Sequence, residues 1–286
     1  MQVFDTFIFN DEIELLEIRL NILDQTVDKF VIVESSTDFF GNPKPFYFDL
    51  NQINYKNKDK IINVRLPYYN CGQQFLNDAF QKNMTYKHIE NLLKDDDVYM
   101  YSDLDEIPNP LVVDQYKKAN SNLPWRMTQQ LNHYFLNIRA LELPWYGTFI
   151  CNKQFIENKY KNLSIEHLFD IFKGASGCRQ LAVEQDRDGL AKNIKNGGWH
   201  YTYFTNKIDG INNIVNKIKK SPHTEIHHRG DTKYIKECIK NLSPINPETQ
   251  PWKLEIFELN ESNTSEYILN NLNRYKHLIY NPSIQL

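Results

Sequence analysis

The stretch VFDTFIFNDEIELLEIRLNILDQTVDKFVIVE, residues 3–34, decides the fold class. Val3 to Phe9 is rich in β-formers and stops at the polar Asn10-Asp11-Glu12, which predicts a first strand with a helix start behind it. Ile13, Leu16, Ile18, Leu20 and Leu23 recur near helical spacing, with Glu14, Glu17 and Arg19 between them. Residues 11–24 are therefore expected to form an amphipathic helix. Lys29 to Glu34 then reads as a buried strand. Strand, helix and strand within about 35 residues is the length of a βαβ crossover, which implies parallel pairing in a covered sheet.

Working outward, Ile61 to Pro67 gives another short strand and residues 74–94 a helix. Asp97 to Ser102 is a β-rich run that ends in Asp103-Leu-Asp105-Glu106-Ile-Pro108. Two carboxylates thus leave a strand at its C-terminal end, where open α/β sheets bind their ligands. Residues 124–160 are aromatic and β-leaning, punctuated by Pro144 and Gly147, which predicts hairpins beside the parallel half and so a mixed sheet. Glycines at 174, 177, 189, 197 and 198 mark loops before a strand resumes at Trp199 to Phe204. Helical patterns return at 208–220 and 231–241. A break at Pro244, Pro247 and Pro251 precedes a last helix-compatible segment, Tyr267 to Tyr280. The expectation is one α/β domain: a mixed, mostly parallel central sheet with flanking helices and a C-terminal helical wrap.

Composition excludes several classes. With 286 residues, 41% of them hydrophobic and 24% charged, the chain has the balance of a folded globular protein rather than a solvated tail. A net charge of -3 gives no overall field to draw it onto nucleic acid or an anionic membrane. Cys71, Cys151, Cys178 and Cys238 lie far apart, without zinc-finger spacing or disulfide-scaffold density. The start has no basic n-region, and no run approaches the roughly 18 to 20 apolar residues of a membrane span. On this reading the chain begins at Met1, carries no transmembrane segment and is cytoplasmic.

The Asp103, Asp105 pair is the most informative local feature. Carboxylates on alternate residues can hold a hard divalent cation whose other positions bind diphosphate oxygens and water. The competing reading is solvated turn acids, but Ser102 before the pair and Ile107-Pro108 after it present the carboxylates rigidly. His200, in Gly197-Gly-Trp-His, sits where glycines let the backbone turn closely; it either completes a metal site or is a hydrogen-bonded core histidine. Glu34 ends a strand on the same sheet edge, placed to accept from a ribose or a base, and Arg19 and Lys82 are candidates for phosphate contacts. No Gly-x-Gly-x-x-Gly or Walker loop is present, so a nucleotide would rely on metal rather than a glycine cradle.

Several segments together resemble the family 17 glycosyltransferases, the group that contains the bisecting N-acetylglucosaminyltransferase. They are Phe4-Asp-Thr-Phe, Asn10 to Leu20, Val31-Ile-Val-Glu34, Phe40-Gly41-Asn-Pro-Lys44-Pro, Gln81-Lys-Asn83, Ser102 to Pro108, Gly197-Gly-Trp-His200 with Lys217, and Tyr267-Ile-Leu-Asn-Asn. The resemblance implies a GT-A type fold, with residues 1–110 as the nucleotide-sugar half, 111–245 as the acceptor half and 246–286 as the wrap. It implies inverting transfer of a sugar, N-acetylglucosamine, from a UDP-sugar to an oligosaccharide or glycoconjugate acceptor. Mn²⁺ or Mg²⁺ would be held by Asp103, Asp105 and His200. Thr6, Phe7, Arg19, Glu34, Lys82, Asp103 and Trp199 would bind substrate. Inversion needs a general base near the acceptor hydroxyl; Asp186, with Glu184, is ranked first in the glycine-flanked stretch between the two distinctive motifs, ahead of Glu166 and Asp188.

Two rivals differ in class. A phosphohydrolase of the haloacid dehalogenase type also places Asp-x-Asp after a strand, but after its first one, where this chain has Asp5-Thr-Phe. A non-catalytic carbohydrate-binding protein would use Trp125, Tyr134, Trp145 and Trp199 as glycan platforms and would need neither aspartate.

Overall fold

The computed structural model describes residues 1–160 and 192–283. The chain folds into two compact units: Met1–Gln129 with Tyr146–Gly198, and Gln130–Trp145 with Trp199–Leu286. The chain changes unit inside long strands, which carry no composition break to read.

In the first unit, β1 (Val3–Phe9), α1 (Ile13–Leu23) and β2 (Lys29–Ser35) form the expected crossover. β1 and β2 pair in parallel, from Phe4 opposite Lys29 to Phe9 opposite Glu34. β3 (Ile61–Leu66) pairs in parallel with β2, and after α2 (Gln74–Lys87) β4 (Val98–Tyr101) pairs in parallel with the other side of β1. The order β3-β2-β1-β4 reverses direction between β1 and β4, the kind of switch point at whose C-terminal ends open α/β sheets bind ligands. β5 (Glu106–Pro108), α3 (Pro110–Ala119), β6 (Trp125–His133) and β7 (Ile138–Asn152) follow. The far end of β7 runs antiparallel to β4, with Val98 opposite Asn152, and makes the sheet mixed as expected. α4 (Lys153–Tyr160) comes next, and β8 (Lys192–Ile194) pairs in parallel with the start of β6. Phe4, Val31, Val33, Tyr99, Phe149 and Cys151 share one core cluster.

Several elements differ from expectation, among them α4, a helix at the end of the stretch 124–160 that was expected to form hairpins. α1 is buried nearly all round rather than amphipathic: Glu17 and Arg19, read as its polar face, are buried, which is possible because both are partnered inside the protein. α2 ends at Lys87 instead of 94, and turns rather than helix carry Ile89 and Leu93 into the core. α3 was not anticipated; Asn109 caps it by accepting from the Leu111 N–H, Pro110 occupies its first turn, and Asn120 closes it in the left-handed region at φ 45°.

In the second unit, β9 (Gly198–Thr202) pairs in parallel with the end of β6, with Leu131 opposite His200. α5 (Ile211–Lys220) and α6 (Thr232–Lys240) turn Ile214, Ile218, Ile235 and Ile239 into a core shared with Leu131 and Tyr134. β10 (Leu254–Ile256) runs antiparallel to β7. The expected last helix is broken into α7 (Glu266–Asn270), α8 (Leu272–Tyr275) and a 3-10 turn at Lys276–Leu278. Asn271 is the reason: its Nδ2 donates to the Tyr267 carbonyl at 2.8 Å, an amide competing with the helical ladder. Among the described residues, no helix is long and apolar enough to cross a membrane.

Candidate functional site

The turn that carries Asp103 and Asp105 is built from beneath. Arg19 of α1 is fully buried and donates to the Asp5 carboxylate of β1 through Nε (2.8 Å) and Nη2 (2.6 Å). Its Nη1 reaches the carbonyls of Asp103 (2.9 Å), Leu104 (3.1 Å) and Glu106 (3.2 Å), and Nη2 also reaches Ser102 Oγ at 2.8 Å. A guanidinium presents its donors in a rigid plane, so fixing one edge on Asp5 aims the rest at the turn. The Glu106 carbonyl additionally accepts from Ser102 Oγ (3.0 Å) and Thr148 Oγ1 (3.2 Å). The Asp103 N–H donates to Glu106 Oε2 at 3.0 Å. The turn backbone is thereby held while the Asp103 side chain remains 30% exposed.

Beside it, Lys82 of α2 lies 3.0 Å from Asp78 and 3.5 Å from Asp103 Oδ1. Tyr101 Oη donates to the same Asp103 oxygen at 3.4 Å. The loops after β2 and β3 are tied to α2: the Asn77 side chain accepts from the Cys71 N–H (2.7 Å) and donates to the Phe39 carbonyl (3.0 Å), while Gln81 donates to the Thr37 carbonyl (3.3 Å).

Four sequence-derived contacts are corrected by this geometry. Arg19 was expected to meet phosphate, yet its donors are engaged inside the protein, so it positions the turn. Glu34 was expected at a ribose or base, but it is fully buried and accepts from the Tyr47 and Phe48 N–H groups, pinning the loop after β2. Burial pushes its carboxyl above the usual glutamate range, against those two hydrogen bonds. Thr6 is buried and donates to the Met100 carbonyl at 2.7 Å, joining β1 to β4. Phe7 is buried with the Arg19 guanidinium 4.5 Å from its ring centroid. Lys82 and Asp103 stay together beside the switch point; Asp105, 8% exposed, lies in the same turn.

Trp199 and His200 belong to the second unit. Trp199 Nε1 donates to the Asn263 carbonyl at 2.9 Å, and the His200 ring stacks on Trp145 with centroids 4.4 Å apart. Among the described residues, no group of three or more His, Cys, Asp or Glu side chains is gathered as a metal cage. Glu166, Glu184, Asp186 and Asp188 lie outside the described residues.

Ser102 acts in the rigid turn as the sequence predicts, whereas the positioning roles of Asp5 and Thr148 escaped sequence reading. A signal existed for Asp5: a lone acid inside an apolar strand and a lone arginine inside an apolar helix must pair if both are buried. The two glycines before Trp199 have their reason too. The Asn109 N–H donates to the Gly197 carbonyl at 2.8 Å, and Gly198, at φ +133°, passes so close to β5 that a Cβ would lie 2.1 Å from the Ile107 carbonyl oxygen. The two distinctive motifs therefore press backbone against backbone. Gly198→Ala is expected to cost about 3 kcal/mol or more through a left-handed strain and a clash with unyielding main chain. Urea unfolding checks this, and a loss under about 1 kcal/mol would contradict the packing.

Residues 1–144 match the model of glycosyltransferase family 17. A stretch of 116 residues, 37% of the chain, is 29% identical to the beta-1,4-mannosyl-glycoprotein 4-beta-N-acetylglucosaminyltransferases of Rattus norvegicus and Homo sapiens. It spans 22% of the length of those curated relatives. Among solved structures, a 2-C-methyl-D-erythritol 4-phosphate cytidylyltransferase from Francisella tularensis aligns over 68% of this chain and 90% of its own, with 13% identity and a TM-score of 0.33.

Proposed function

This chain belongs to glycosyltransferase family 17, and on that premise we propose that it is a metal-dependent, inverting transferase that moves N-acetylglucosamine from a UDP-sugar to a glycan hydroxyl. The observation that carries the reading is the buried clamp from Asp5 through Arg19 to the turn at residues 102–106. It stiffens a pair of carboxylates at the C-terminal end of β4, beside the point where strand order reverses. A solvated surface turn has no need of a fully buried arginine beneath it.

The donor set is hard oxygen, which fits Mg²⁺ or Mn²⁺: such ions take one or two carboxylates and complete their shell with substrate phosphates and water. Asp103 and Asp105 would hold the ion, which when bound supplies positive charge to a diphosphate leaving group. Lys82 adds a cation within 3.5 Å of Asp103, so an arriving diphosphate does not face carboxylates alone. The clamp keeps the turn from reorganising as charge moves, which is where preorganised electrostatics lowers a barrier. Asp186 or Glu184 would take the proton from the acceptor hydroxyl.

Isothermal titration of UDP and UDP-N-acetylglucosamine, with Mn²⁺ or with EDTA, tests this without an acceptor. Wild-type protein is expected to bind both nucleotides only with metal, and Asp105→Ala to lose roughly 100-fold in affinity or more, since a ligand to the ion is gone. Binding indifferent to EDTA and to Asp105→Ala would remove the metal from the reading. No nucleotide binding under any condition would remove the transferase.

A further inference from the structure

A cavity of about 480 Å³ in the second unit falls in the size range of small-molecule sites. Phe135 and Tyr280 line it with ring centroids 5.3 Å apart. Asn206, Asn212 and Asn281 contribute amides. Its charged lining is of one sign: Lys236, Lys276 and His277 are present, and no carboxylate is.

The walls are fixed before any ligand arrives. Asn137 clamps Tyr280 by donating to its carbonyl (3.0 Å) and accepting from its N–H (2.7 Å), and the Leu136 N–H donates to the Leu278 carbonyl at 2.8 Å. These bonds hold the segment that bears Lys276 and His277. Asn206 Oδ1 accepts from the Asp209 N–H at 2.7 Å, which fixes the chain just before Gly210, the N-cap of α5.

Aromatic rings offer an apolar face to the C–H face of a pyranose, amides bond hydroxyls in either sense, and lysines attract an oxyanion. We propose that this cavity binds an anionic sugar, a hexuronate or a sugar phosphate, with the ring against Tyr280, which Phe135 backs from the core, and the charged group toward Lys236 and Lys276. The assignment does not rest on the transferase reading.

The test is isothermal titration at constant ionic strength of glucuronate, glucose 6-phosphate, glucose and inorganic phosphate into wild type and into Lys236→Gln/Lys276→Gln. At least one anionic sugar is expected to bind saturably and roughly tenfold or more tighter than glucose or phosphate, with the double variant losing roughly tenfold or more. Both lysines are exposed, and an unchanged unfolding midpoint confirms that the variant folds. No saturable binding, glucose or phosphate binding as tightly as the anionic sugars, or an unaffected double variant would each overturn the proposal. UDP and metal titrated into the same variant are expected to behave as in wild type, so failure here is distinguishable from failure at the donor site.

Discussion

Arg19→Ala is expected to destabilise the protein by about 3–5 kcal/mol and to abolish metal-dependent nucleotide binding. The first effect follows from burial: Asp5 and Arg19 are both fully inaccessible, and alanine leaves the Asp5 carboxylate without its cation. The carbonyls of Asp103, Leu104 and Glu106 lose a donor at the same time. Arg19→Lys is expected to recover little, because an ammonium cannot bond Asp5 through two nitrogens and still reach three carbonyls. The informative variant is Asp5→Leu/Arg19→Met. Removing both charges leaves no unpaired buried carboxylate, so this variant should lose less stability than Arg19→Ala, although the three turn carbonyls still lack their donor. The turn under Asp103 and Asp105 would nonetheless have lost its support, and UDP binding should fall with it. A double variant that is stable and binds UDP with metal as wild type does would show that the clamp serves folding alone.

Acid is expected to unfold the second unit through His133. This histidine is fully buried at the end of β6, and burial, with His200 nearby adding like charge, lowers its pKa from 6.5 to about 3. The bonding pattern gives the reason in atoms. Trp252 Nε1 donates to His133 Nε2 at 3.1 Å, so Nε2 must accept, and the proton of the neutral ring sits on Nδ1. A second proton would need the position that the indole N–H already occupies. Since the folded pKa is depressed, the unfolded chain binds more protons between pH 6.5 and about 3, and stability falls as pH falls through that window. Above pH 6.5 the contribution is fully present. Over the whole window it amounts to about 4–5 kcal/mol, of which about half is lost by pH 4.5. Urea unfolding of wild type and His133→Gln at pH 7.5 and 4.5 measures it. The variant should lose about 2–3 kcal/mol less than wild type on acidification; equal losses would show that His133 does not drive the acid sensitivity.

Much of the first unit was legible because its signals are local. β1, α1, β2, β3 and β4 were expected within two residues of where they form, since apolar strands and a helical spacing repeat within a few residues of each other. α3 carries a local signal too, Asn109-Pro110 ahead of Val112, Val113 and Tyr116. The two-unit division was not legible at all, because it falls inside β6, β7 and β9.

Sequence by itself determined the α/β class, the parallel start of the sheet, the family and the placing of Asp103 and Asp105 at a strand's C-terminal end. Residue type and spacing suffice for these, because strand polarity and side-chain chemistry travel with the chain. Tertiary structure alone decided which polar residues face outward. Arg19, Glu34, Asp103 and Lys82 look alike in sequence as charges beside apolar runs; only the packing shows that Arg19, Glu34 and Lys82 are buried with partners while the Asp103 side chain stays 30% exposed. A charge is buried when a complementary group from a distant part of the chain meets it, as Asp5 meets Arg19 and Arg19 meets the turn more than 80 residues away. That meeting is a property of the fold and leaves no local trace.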